Sequence, residues 1–408
     1  MKKFLIFAVI NFLLISSFCL ANQDSSTDDM VNVYIDCDMC DLDYLRRSVT
    51  FVNYVRDRGD ADVHIVESFR PTASGGEEFT LTFYGQKNYK VVNDTLKYIL
   101  QEMDTEETDR NEFVRVVKLG LIQYVNSTPI AKDIKIEYLA PIKPIIIEDP
   151  WDSWAFRIGI NGNANGQKSS QSSNSWTSLS VERITEEWKF QTSLHASFND
   201  YLDRDYNNYS SSLSRSIWGM LVKSLGEHWS IGGYGLVNSS TYSNTEISYL
   251  AGRAVEYSIF PYSESSTHEL IIQYKVGASY YNYIDTTIFE KVEEYLSGES
   301  ITLESQFVQP WGSTFIQMEA QHYFHDFTKN KFSIYANLSL NLFKGFSLDL
   351  SGKYSLINDQ LSVSEDDPGA QEIFLNQRQL YTNYDYFVNI GLSYSFGSIY
   401  NNVVNTRF

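Results

Sequence analysis

The segment Val388 to Phe396 reads V-N-I-G-L-S-Y-S-F, with Val388, Ile390, Leu392, Tyr394 and Phe396 pointing one way. Asn389, Gly391, Ser393 and Ser395 point the other way, because successive side chains in a strand alternate between faces. One face is therefore wholly apolar and the other small and polar. The same period governs nearly everything after Trp154. Twelve segments carry it, near 154–163, 174–184, 188–199, 211–225, 228–238, 245–260, 268–283, 299–309, 314–325, 331–343, 346–357 and 386–397. Mis-splitting one pair would make ten or fourteen. A dozen amphipathic strands with one continuous apolar face predict an antiparallel transmembrane β-barrel over 154–408.

Connection lengths are an independent check. Long polar connections are expected around Asn163 to Ser173, Asp200 to Ser210, Ile284 to Gly298 and Asn358 to Tyr384. Short ones are expected at Thr185 to Glu187, at Gly226-Glu227, at Gln309 to Ser313 and at Lys344-Gly345. Such alternation belongs to barrels with short inner turns and long outer loops. An even strand number puts the segment before the barrel and the end after it on the same side.

Met1 to Ala21 reads as a signal peptide. Lys2 and Lys3 precede an apolar stretch from Phe4 to Leu14, and Cys19-Leu20-Ala21 offers small residues at a cleavage site. Phe18 is too bulky for a lipidation box. Beyond residue 21 no apolar run approaches the 18 or so residues a spanning helix needs. Aromatic residues make up 15% of the chain, including 29 Tyr and 25 Phe, which suits aromatic girdles at both membrane interfaces. A net charge of −19 argues against a nucleic-acid partner.

Before the barrel the periodicity is mixed. Residues 22–30 form a polar lead-in. Residues 31–140 predict a small α/β domain. Val31 to Asp36 is a strand, and a helix follows with Leu45, Val49, Val52 and Val55 on one stripe, stopping at Gly59. Strands are expected at Ala61 to Ser68, around Phe79, Leu81 and Phe83, and at Thr95 to Leu100. Asp104-x-x-Glu107 reads as a capping box for a helix carrying Val114, Val117, Leu121 and Tyr124. Ile134, Ile136 and Tyr138 read as a closing strand. Pro141, Pro144 and Pro150 mark a linker over 141–153.

Several local patterns invite chemistry. Cys37-Asp38-Met39-Cys40 lies between a strand and a helix start, where a thiol-redox pair would sit. The surrounding Asp36, Asp38, Asp41 and Asp43 disfavour a thiolate, so a local structural disulfide between Cys37 and Cys40, or two buried thiols, is the better expectation. Those carboxylates lack the spacing of a calcium loop. His322 and His325 would share a metal only across a turn, since i and i+3 on a strand face opposite ways. A membrane-embedded lipid hydrolase would need Ser and His on the apolar face, whereas His195 lies on the polar one. No catalytic residue, cofactor or metal site is therefore assigned. The polar face supplies the lumen-lining candidates Lys189, Gln191, His195, Gln273, Lys275, Gln317, Glu319, Asn337, Asp349 and Lys353. Such a lining suits either a water-filled channel for small polar solutes or a closed polar plug.

The pattern Asn389-x-Gly391-x-x-Tyr394-x-Phe396, with Phe408 at the end, resembles the signal that barrel-assembly machinery reads on the last strand of bacterial outer-membrane proteins. The opening V-Y-I-D-C-D-M-C-D-L-D-Y-L-R-R and the tail from Gly391 to Phe408 resemble uncharacterised outer-membrane barrels of Gram-negative bacteria. The α/β region is similar in plan to the amino-terminal domain of TolB. These resemblances imply an outer-membrane location with the α/β domain in the periplasm. They also imply contact with outer-membrane lipid and the assembly machinery, and a possible periplasmic protein partner. They bring no catalytic residues. The expected function is a narrow solute channel or an envelope scaffold. A lipid hydrolase or a barrel-anchored thiol-redox module is the alternative.

Overall fold

The structure is a computed structural model that describes residues 30–37, 40–72, 76–137, 151–204, 208–366, 378–398, 400 and 402. The predicted signal peptide, most of the linker and Phe408 lie outside the described residues. Two sheets account for the architecture, one of five strands and one of twelve.

The five-stranded sheet has the order β2-β1-β3-β4-β5, from β1 (Asn32–Asp36), β2 (Asn53–Tyr54), β3 (Val63–Pro71), β4 (Glu77–Gly85) and β5 (Asn93–Leu100). β1 is parallel to both β2 and β3, and β3, β4 and β5 are antiparallel. Helix α1 (Leu42–Ser48) crosses from β1 to β2, and α2 (Glu106–Val125) packs on the sheet. The core joins Val33, Ile65, Leu81 and Phe83 to Leu45, Val117, Leu121 and Tyr124. Gly120 is required where α2 crosses β4, because a Cβ there would stand 2.1 Å from the Phe83 ring.

Three local expectations are corrected. The helix after β1 is about two turns shorter than its apolar stripe suggests. It ends at Ser48, and Val52 leads into β2, whose Asn53 and Tyr54 pair with β1. Val49, Val52 and Val55 have helical spacing, but the β-branched run prefers the strand environment beside β1. The N-cap of α2 is Thr105, accepting from Thr108 N, while Asp104 binds Gln101 N instead. Ile134 to Glu137 form no strand, following a short 3-10 turn at Pro129–Asp133.

The second sheet is antiparallel throughout and follows chain order from β6 to β17. Its strands are Trp154–Gly166, Ser170–Ile184, Trp188–Asp203, Asn208–Ser224, Trp229–Ser240, Thr245–Ser258, His268–Tyr283, Glu293–Gln309, Gly312–Tyr323, Asp326–Phe343, Phe346–Ile357 and Tyr384–Tyr394. Twelve strands are present, and several extend beyond their predicted ends. The expected long connection at 163–173 shrinks to Gln167 to Ser169, since the Ser- and Asn-rich stretches continue the ladder. Polar residues on both faces mark strand ends that stand in water. β6 and β17 are the edges of the sheet among the described residues.

Burial in this sheet is inverted relative to a water-soluble sandwich. Ser230, Ser258, Ser355 and Thr302 are buried, at 6%, 2%, 0% and 9% exposure. Ile231, Ile301, Leu356 and Ile390, on the other face, are 45%, 52%, 44% and 68% exposed. The polar face is thus the enclosed, concave one, and the apolar face is the outside. Aromatic clusters edge that outer face. Trp229 and Tyr257 meet near the short turns, and Tyr249, Tyr280 and Tyr295 form a row nearer the long loops.

Candidate functional site

The candidate site is the concave face and its two mouths. Strand register decides which side chains share it. His195 sits opposite Ser178 and Ser216. Gln273 sits opposite Glu256 and Thr302, and Gln317 opposite Glu304 and Tyr335. Asp349 pairs across to Ser339 and Gly391, and Lys353 to Tyr335 and Phe387. Lys189 and Gln191 share the face of His195. Lys275 shares that of Gln273, Glu319 that of Gln317, and Asn337 that of Tyr335.

Hydrogen bonds tie this face together. Gln273 donates to Glu256 at 2.8 Å, Gln317 to Glu304 at 2.8 Å, and Gln191 to Glu182 at 3.2 Å. Lys353 pairs with Asp385 at 2.9 Å, and the Ser339 hydroxyl donates to Asp349 at 2.8 Å. Tyr234 lies flat over Gly252, where a Cβ would come within 2.4 Å of its ring. A glycine under an aromatic ring lets the sheet curl while filling the lumen.

Charge is unevenly placed. Glu256, Glu269 and Glu304 gather near the short-turn end on β11, β12 and β13. Both of the other carboxylates act on Glu269, and so does Lys189 from β8, four strands away. Lys189 is thus within electrostatic range of this acidic cluster on the concave face. Tyr262, in the turn between β11 and β12, donates to Glu256 at 3.1 Å. Sequence reading picked out Lys189 but missed the three glutamates. Each was legible as the polar member of an alternating pair, as in Glu269 beside Leu270.

The mouth at the short-turn end is capped by the α/β domain. Arg58 donates to the carbonyls of Pro310 and, at 2.7 Å, of Asn341, both at short turns. Asp60 pairs with Lys344 at 2.6 Å, and Asp57 accepts from Gly345 N. The Lys344 amine is raised above its ordinary value by its hydrogen bond to Asp60, only partly opposed by burial. Glu102 meets Arg157 of β6 at 2.6 Å. The tail after β17 adds a bridge between Val55 and Tyr400 and a bond from Tyr54 N to Asn402 at 2.6 Å. Behind Arg58, the Tyr34 phenol is pushed up to about 12 by burial, then by Asp36 and Asp57. One small domain therefore touches β6, two turns between β13 and β16, and the tail, which requires the sheet to be strongly curved.

Between cap and barrel lies a cavity of about 460 Å³, lined by Asp36, Cys37, Glu67 and Phe69 from the domain and by Gln306 and Asn337 from the barrel. Cys37 and Cys40 are disulfide-bonded, with Cα atoms 6.0 Å apart, and Cys37 borders this cavity.

The mouth at the long-loop end carries a lid. The loop after β16 docks on the loop between β12 and β13, with Ile288 N bonded to Val363 O at 2.9 Å and Glu365 N to Thr286 O at 2.8 Å. Arg378 pairs with Asp285 at 3.1 Å, and Gln379 N reaches Tyr242 O, after β10, at 2.9 Å. Leu361 and Val363 of this loop are themselves buried.

Elsewhere the site candidates separate. Ile390, Leu392 and Tyr394 lie on the exposed outer face of β17. Asn389 and Gly391 pair with Ser351 and Asp349, and Phe396 lies just past the strand. His322 is on the outer face and accompanies Glu299 at 3.0 Å, while His325 is in a turn. Glu299 also accepts from Tyr274. His322 Nδ1 has no hydrogen-bond partner among the described atoms, so no serine completes a hydrolytic arrangement there. No cluster of three or more metal-ligating side chains exists among the described residues.

No family model matches the chain. No curated protein matches it. Among solved structures, a NanC porin aligns with 59% of this chain and 99% of its own length, at 10% identity and a TM-score of 0.28.

Proposed function

We propose that this protein is a narrow solute channel of the bacterial outer membrane, with its α/β domain on the periplasmic side acting as a cap. The observation that carries the proposal is the inverted burial of the twelve-stranded sheet. Its exposed face is an apolar, aromatic-edged belt suited to hydrocarbon. Its enclosed face is a hydrogen-bonded set of amides, carboxylates and lysines suited to water. A plug without transport would not need both a domain at one mouth and a loop at the other. The acidic cluster facing Lys189 favours small polar solutes that carry both signs of charge, and cations over anions.

Planar-bilayer recording of the protein lacking residues 1–21, and of a form starting near Glu148, tests this. Brief or rare openings in the longer form and steady, cation-selective conductance in the shorter one are expected. Silence in both, with the barrel shown to be folded, would refute the channel and leave the domain as a docking module for a periplasmic partner.

A further inference from the structure

The outer face carries charges at a depth where lipid tolerates them poorly. Register places Arg253 of β11 opposite Val276 of β12, and Val276 opposite Glu299 of β13. All three are on the exposed apolar face. Arg253 is four residues from Tyr249 and four from Tyr257, roughly 13 Å along the strand from either girdle. A lipid-facing arginine at that depth is strongly disfavoured. Yet Arg253 is exposed and makes no ion pair with a described residue. Beside it the strands carry Gly235, Ala251 and Ala278 in place of large side chains. With Tyr249 and Tyr280 at the rim they leave an open groove of about 600 Å³.

We propose that this face is where a second copy of the chain docks in the membrane. The argument is charge complementarity of a surface with itself. Arg253 and Glu299 flank Val276, each one strand away, so about 10 Å separates them. A two-fold axis along the membrane normal, passing at Val276, exchanges β11 with β13. It brings the Glu299 region of one copy toward Arg253 of the other, and the converse. Arg253, unpaired among the described residues, is then answered by a carboxylate that His322, at 3.0 Å, and Tyr274 already hold in place. The small residues let the two backbones approach closely, as they do between membrane helices.

The axis position makes a sharp test. In the full-length protein in vesicles, Val276→Cys should give a disulfide-linked dimer on mild oxidation, because each copy meets its own mate there. Ile334→Cys, half-buried on the same outer face at β15, should not. Cys37 and Cys40 are already bonded to each other and do not interfere. Adding Arg253→Glu to Val276→Cys should cut cross-linking at least tenfold, and adding Glu299→Arg as well should restore it. If Arg253→Glu fails to fold, Arg253→Leu, which suits lipid, should fold and still lose most of the cross-link. Native mass spectrometry of the wild type should give a dimer. A wild-type monomer, an uncross-linked but heat-modifiable Val276→Cys, or cross-linking indifferent to Arg253 would each overturn the proposal and leave the groove to lipid or to a different protein.

Discussion

Replacing Arg58 with alanine should unlatch the cap. Its guanidinium donates to Pro310 O and Asn341 O from a part-buried position, so the substitution removes two charge-assisted bonds. Each such bond is worth about 1.5–3 kcal/mol before water replaces it. Allowing for solvation of both carbonyls in the undocked state, a combined loss of about 2–3 kcal/mol is reasonable. At about 1.4 kcal/mol per tenfold, the docked-to-undocked ratio should fall about 30- to 140-fold. Lys344→Ala is the internal comparison. Its side chain is 62% exposed beside Asp60, and exposed pairs contribute about 0–1 kcal/mol, or less than about fivefold. Single-channel open probability at fixed voltage reads both variants. Arg58→Ala within threefold of wild type, or a larger effect from Lys344→Ala, would refute the latch as described.

Further outcomes concern the domain and are read by hydrogen exchange in the intact protein. Gly120→Ala should destabilise α2 and β4 by about 1–3 kcal/mol, because the Phe83 ring is buried and cannot move aside; unchanged protection there would contradict the packing. His64 is fully buried, and neither ring nitrogen finds a hydrogen bond among the described atoms, the Asp36 carboxylate standing 3.7 Å from Nε2. His64→Phe should therefore leave protection of β3 unchanged or raise it, whereas a clear loss would reveal a partner. Burial opposes ionisation of Glu78, but Lys97 and Arg70 outweigh it and hold the carboxyl below the usual carboxylate range. Glu78 thus adds stability above its unfolded pKa and loses it as pH falls through the lower folded value. Glu78→Gln should weaken β4 and β5 at neutral pH and match wild type in strong acid. A deficit that persists in acid would exclude the ion pairs as its cause.

The twelve strands were legible because a period of two is a property of the strand itself, set by where each Cβ points. Phe346/Leu348/Leu350 on β16 needs no partner to be read. The run after β1 was overread because Val49, Val52 and Val55 fit both a helical stripe and a β-branched strand entry. Only the parallel pairing of Asn53 with Asn32 decides between them. The latch was not legible. Arg58 reaches carbonyls more than 250 residues away, and a carbonyl carries no sequence signal. Arg253 and Glu299 were written plainly as charged members of apolar faces, in Tyr249-x-Ala251-x-Arg253-x-Val255 and Glu299-x-Ile301-x-Leu303.

In the proposed channel the polar face encloses water while the apolar face meets lipid. Gln273→Cys and Ile272→Cys are adjacent on β12 and point to opposite faces. In vesicles, a small water-soluble thiol reagent should modify Gln273→Cys, faster when Arg58→Ala is added. It should leave Ile272→Cys untouched until the membrane is dissolved. Modification of Ile272→Cys in intact vesicles, or protection of Gln273→Cys in both backgrounds, would contradict the account.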